Sequence, residues 1–255
     1  MTAGLLRSEW RKVMTTRMVI GLTIAALAFT ALNVVALILV SGTQGAPSLT
    51  DEATVRTVFA SAGSASVIVL VLGIISMTTE YRHMTITSSF LATPRRGRVV
   101  AAKMAVNAVV GMLVGLLCWI LAVGLGAAML PLKDHAPVPW GSVVQIGGGV
   151  LLAFAIYGLV GVAVGALIRN QVAAILIAVV WVLLVEALIV AFLPAVGRWL
   201  PGGAANAVLQ AGVDSGTGAG PLQLLPVWGG AAVLLAYGVV FAALAAATTL
   251  RRDIT

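Results

Sequence analysis

The sequence predicts an all-α integral membrane protein of six transmembrane helices. Three observations lead there. Of 255 residues, 61% are hydrophobic and 9% charged, and the mean hydropathy is +1.11. A soluble chain of this length could not hide so much apolar surface. Six apolar runs are each long enough to cross a hydrocarbon core of about 30 Å. They are Met18–Val40, Val58–Met77, Ala105–Leu130, Ser142–Ile168, Val172–Leu193 and Leu224–Leu250. Third, twelve of the fifteen Lys and Arg fall on one side of the resulting topology. The positive-inside rule makes that side, with both termini, cytoplasmic. The net charge of +7 then follows from topology and gives no support to nucleic-acid binding.

Each element has its own signal. In residues 4–17, Leu5, Leu6, Trp10, Val13 and Met14 cover one side of a helix, and Arg7, Ser8, Arg11, Lys12 and Thr15 the other. That pattern is an interfacial amphipathic helix. The apolar run after it is too long for a cleaved signal peptide and reads as a retained span. Glu9 falls near the apolar side. Its ordinary reading is an i,i+3 contact with Lys12; its sharper reading is a contact with a docked cytoplasmic partner. The loops Ser41–Thr57 and Pro131–Gly141 read as plain connectors. Thr78 to Met104 is polar, basic and stopped by Pro94. A short surface helix is expected over Glu80–Leu91, with Arg95, Arg96 and Arg98 at the headgroups. Arg169-Asn170-Gln171 is a tight inner turn, so spans four and five should be antiparallel neighbours.

Pro194–Gln223 is long yet retains Trp199, Leu200, Val208, Leu209 and Val213. One or two short helices at or dipping into the outer leaflet are expected, buried wherever the backbone is irregular. Gly111-x-x-x-Gly115 and Gly161-x-x-x-Gly165 fit close helix packing in the third and fourth spans.

The sequence carries no phosphate-binding loop, no H-E-x-x-H, no G-x-S-x-G and no cysteine pair. His83, His135 and Cys118 lie too far apart in sequence to suggest a metal site. No bond chemistry is expected of this chain. Glu186 stands out, because a carboxylate in mid-span is costly and marks a functional candidate. It serves either a transport role or a structural hydrogen bond, with Asn33, Asn107 or Gln145 as polar neighbours. The Thr78–Met104 segment stands out too, since its apolar Met84, Ile86, Phe90 and Leu91 call for a docking partner.

Glu80-Tyr81-Arg82, then Thr85, Pro94-x-Arg96 and Lys103, lie between the second and third of six spans. This order resembles the permease subunits of type 2 ABC exporters. Ser8 to Lys12 resembles that family's connecting helix, and Leu200-Pro201 its outer re-entrant region. His83-Met84 departs from the pattern. The resemblance implies one permease domain over 1–255, with a connecting helix at 1–17, a cytoplasmic coupling segment at 78–98 and outer re-entrant helices at 194–223. It implies a dimer, of identical rather than different copies, in the lipid of a bacterial inner membrane. Separately encoded ATPase subunits would bind the ATP and Mg, and this chain would hold no cofactor. Glu9, Glu80, Tyr81, Arg82, Thr85, Pro94 and Arg96 would dock the ATPase. Glu186 and Asn33 would lie at the pathway or dimer seam. The cargo would be amphipathic or hydrophobic: a drug, antibiotic, lipid or peptide. The rival expectation is an ATP-independent, proton-coupled carrier using Glu186. A third is a non-transport membrane module tied to an ATPase.

Overall fold

Helix forms wherever the backbone must satisfy its own polar groups in lipid, and no strand occurs among the described residues. The computed structural model describes residues 3–43, 46–82, 96–168, 170–211 and 224–251. Six helical stretches are long and apolar enough to span a membrane: Arg17–Val40, Glu52–Arg82, Gly97–Leu132, Trp140–Leu167, Gln171–Phe192 and Val227–Ala245. The chain is therefore a multi-pass membrane protein. Its helices are α1 (Ala3–Thr15), α2 (Arg17–Val40), α3 (Glu52–Ala60), α4 (Ser66–Arg82), α5 (Arg96–Met129), α6 (Trp140–Leu167), α7 (Gln171–Val180), α8 (Glu186–Phe192), α9 (Pro194–Gly197), α10 (Pro201–Val208) and α11 (Val227–Arg251).

α4 and α6 form the centre, and α5 packs along α6. Glycine allows the close approach. A Cβ at Gly161 would overlap the Leu70 carbonyl, and one at Gly111 the Phe154 carbonyl. A Cβ at Gly165 would lie 2.8 Å from the carbonyl oxygen of Ile74. The two small-residue motifs do mark tight helix contacts, between spans two and four and between spans three and four. The first, third, fifth and sixth spans ring this centre and expose large apolar side chains such as Ile24, Leu117, Leu176 and Val239. In lipid such residues need no cover.

Three boundaries differ from the sequence expectation. The second span begins at Glu52, well before Val58, because Asp51 caps α3 and accepts the Ala53 N–H at 3.3 Å. A 3-10 turn over Ser61–Ala65 joins α3 to α4. α4 also runs past Met77 to Arg82. The Thr78 hydroxyl donates to the Ile74 carbonyl at 2.9 Å, within the helix. At the far side α5 starts at Arg96. Of the surface helix expected over Glu80–Leu91, Glu80 to Arg82 are the end of α4, and 83–91 lie outside the described residues. The two connectors also do more than connect. Leu49 is buried and its carbonyl accepts the Ala136 N–H at 2.8 Å. The Lys133 ammonium donates to the carbonyls of Ile38, Leu39 and Ser41 at 2.7, 3.0 and 3.1 Å. It thus satisfies the orphan acceptors at the C-terminus of α2.

Candidate functional site

The first site lies under α1. Leu6, Trp10 and Val13 turn the apolar stripe of α1 onto the bundle. Glu9 lies on the same side and is carried inward, to 1% exposure. An isolated carboxylate there would be untenable. Lys103 of α5, itself 3% exposed, donates to Glu9 Oε2 at 2.7 Å and to Glu80 Oε1 at 2.9 Å. Lys12 closes the ring, reaching Glu9 Oε1 at 2.6 Å and Glu80 Oε1 at 3.0 Å. Two cations and two anions thus form a neutral quartet that joins α1, α4 and α5.

Electrostatics keeps the two α1 members of the quartet charged. Burial pushes the Glu9 carboxyl up, but the Lys103 ammonium and the hydrogen bonds from Lys103 and Lys12 outweigh it, leaving Glu9 below its ordinary value. Burial pushes Lys12 down, and its hydrogen bonds to Glu9 and Glu80 more than reverse this. One turn beyond Lys103, Asn107 donates to the Lys103 carbonyl at 2.9 Å and to Ser76 Oγ at 3.1 Å. Beside the quartet is a cleft of about 510 Å³, walled by Val13, Val19, Leu72 and Ile75.

The second site lies around Glu186. The fifth span is α-helical to Val180, widens into a π-helical turn over Trp181–Val185, and resumes at Glu186. Such turns are frequent at functional positions. Glu186 is 2% exposed. Its Oε1 accepts the backbone N–H of Gly202, in the first turn of α10, and the Gly203 N–H also faces it. The local sequence explains this. Pro201 has no N–H to offer, so the first free donors of α10 belong to Gly202 and Gly203. A Cβ at Gly202 would sit 3.0 Å from the carboxylate oxygen, so a larger residue there would press on the Glu186 side chain. Glu186 Oε2 has no hydrogen-bond partner among the described residues.

Residues 5–185 match the family model described as ABC-2 family transporter protein. The chain belongs to the ABC-2 transporter family. A comparison with curated proteins finds no match. Membership implies an ABC permease component that associates with an ATPase component. The matched region contains the whole quartet and ends one residue before Glu186.

Within this ABC-2 chain, the residues expected to dock an ATPase divide into groups. Glu9 and Glu80 face each other across Lys103. Glu9 does make the i,i+3 contact with Lys12, but in a buried setting. Tyr81 is half-buried against the cluster of Met77, Val100 and Val162. Arg82 is exposed at the end of α4. Thr85 and Pro94 lie outside the described residues. Arg96 opens α5. Near the second site, Asn33 does not meet Glu186. Its amide donates back to the Phe29 carbonyl at 2.9 Å. Gln145 pairs with Gln210 at 2.8 Å, and Asn107 bonds the backbone carbonyl of Lys103 beside the quartet.

Sequence reasoning missed both partnerships. A signal existed for the second, since Leu200-Pro201-Gly202-Gly203 reads as a helix start rich in bare N–H groups. For the first, the signal was a charged residue on an otherwise apolar face at both Glu9 and Lys103.

Proposed function

We propose that this chain is the membrane-spanning permease subunit of an ATP-driven exporter, powered by a separate ATPase that docks at the end of the bundle carrying α1. That end is cytoplasmic in this reading, and the membrane is a bacterial inner membrane. The quartet is the observation that carries it. A mere tether between two spans has no need of three buried charges with a fourth at their rim. Here they fasten α1, the last turn of α4 and the second turn of α5 into one unit, at the roots of the 83–95 segment. A partner that grips this segment through Thr85, Pro94 and the Arg82 and Arg96 flanks moves spans two and three together. Glu9 and Glu80 act as positioning residues within the unit, and Tyr81 seats its edge. Closure of the ATPases on ATP then shifts the bundle between inward and outward states.

The functional unit is a dimer of identical copies meeting along spans one and five. The support is that these spans bury few residues and jointly border the cleft that holds Glu186. The cargo is amphipathic or hydrophobic, consistent with the apolar walls of both clefts.

The test is ATP hydrolysis by the co-purified complex in proteoliposomes. Glu80→Ala and Arg82→Ala should each abolish substrate-stimulated hydrolysis, by tenfold or more, while membrane insertion is unchanged. Normal stimulation in both variants would sink the reading.

A further inference from the structure

Glu186 lines a cleft of about 540 Å³ between the outer part of the first span, the start of the second, the fifth span and α10. No Lys or Arg lines it, and no salt bridge reaches Glu186 among the described residues. Ser66, Tyr157 and Asn206 also line the wall, and three of its hydroxyls share one character. The Thr57 hydroxyl donates its hydrogen to the Ala53 carbonyl at 2.9 Å, Ser61 to Val58 at 2.7 Å, and Ser64 to Ser61 at 2.6 Å. Each hydroxyl has one hydrogen, so what remains for an occupant is an oxygen lone pair. The carboxylate has Oε1 taken and Oε2 unpartnered among the described residues.

The cleft therefore offers acceptors and negative charge, set in a wall of Val182, Ala187 and Val190. A neutral guest could donate a hydrogen bond but no charge to offset the buried carboxylate, and an anionic one would add repulsion. An inorganic cation would find one carboxylate and few other ligands, short of the six or more oxygens that hard cations take. A protonated organic amine with an apolar body matches both parts. Leu37 at the rim is 36% exposed and Leu183 60%, so the cleft opens toward the seam along which the two copies would meet.

We propose that this cleft is a binding site for cationic amphiphiles, with Glu186 as the counter-ion of a protonated amine and the valine wall as the seat of its apolar body. This rests on the exporter reading for its meaning, since it assigns a charge class to the cargo. Binding itself requires no ATPase.

The experiment is equilibrium binding to the full chain in nanodiscs of zwitterionic lipid, without ATPase. The probe is dansylcadaverine, a fluorescent primary amine. Its N-acetyl derivative serves as a neutral probe with the same apolar body. The wild-type chain should bind the amine at least tenfold more tightly than the acetylated form. Glu186→Gln keeps an oxygen for the Gly202 N–H and should erase that preference. Ala187→Trp fills the cleft from the exposed side of α8, leaves the carboxylate in place, and should abolish binding of both probes. It decides the matter if the Gln variant does not fold. Equal affinity for the two probes, an undiminished preference in Glu186→Gln, undiminished binding in Ala187→Trp, or no binding of the amine overturns the proposal. Loss of amine binding with an ATPase still co-purifying overturns this site alone. Charge-selective binding with no ATPase partner in native membranes overturns the exporter reading and leaves the site.

Discussion

Lys103 touches two carboxylates that come from opposite ends of the N-terminal half, and its removal strands both. Breaking a buried ion pair on one side costs about 3–5 kcal/mol, whereas exchanging a whole buried cluster for apolar groups can be neutral. Lys103→Met should therefore destabilise the detergent-solubilised protein by ~3–5 kcal/mol, read from its SDS unfolding midpoint. Glu9 adds a pH signature. Its folded value is depressed below 4.5, so its contribution is fully present above 4.5 and is lost as pH falls through the lower folded value. In Lys103→Met, burial is opposed by Lys12 alone. The acid loss should then begin above 4.5. An unmoved acid limb would show that Lys103 is not what holds Glu9 ionised. That Glu9 falls near the face of Leu6, Trp10 and Val13 was legible; that this face packs onto the bundle and not into the acyl boundary was not. Nor was it legible that Glu9 would meet Lys103, because 94 residues separate the two, and spacing along a helix says nothing about partners on another.

Among the elements, helix existence was legible and helix length was not. Hydropathy found every span because each must bury about 20 residues in hydrocarbon. It ended the second span at Met77 because Glu80 and Arg82 follow, and a composition window cannot see that Glu80 is neutralised by Lys12 and Lys103. The same blindness hid α3, whose start is marked by Asp51 and Glu52 instead of by apolar residues. The glycine motifs were legible as packing sites, although their partners were not. They give a paired test. Gly161→Ala drives a methyl onto the Leu70 carbonyl, where neither backbone can yield cheaply, and should cost about 1–3 kcal/mol. Gly148→Ala meets nothing within 4 Å and should gain up to about 1 kcal/mol from helix propensity. The difference is read from the unfolding midpoints of the two variants in detergent. Equal effects would mean that spans two and four are not in contact at Gly161.

For the whole molecule, charge asymmetry is the strongest statement of orientation. Twelve of fifteen basic residues flank one side of a six-span path, and an even number of spans returns the chain to the side where it began. Reporter tags on the two termini should both be shielded in sealed cells and both exposed when the membrane is opened. One tag accessible from outside would require an odd number of crossings. The α10 hairpin is the part of this scale that sequence resolved least. Of the apolar residues read there, Val208 and Leu209 are buried, whereas Trp199 is 51% exposed. What the sequence could not convey is that a helix start and a mid-span carboxylate, 16 residues apart, answer each other's need for a partner.

The clasp of Lys133 on the end of α2 carries one more implication. At its other end the same helix continues from α1, which the quartet fixes to the bundle. Between these two fastenings run 24 helical residues, or about 36 Å of axis. The hydrocarbon layer is only about 30 Å thick. With polar fastenings at both extremities, the helix has no freedom to slide along its axis to suit its surroundings. The separation of the two fastenings is thus set by the bundle and not by the bilayer. A thicker or thinner bilayer would be accommodated by the lipid around this helix, or by the lean of the entire bundle, before either fastening gave way.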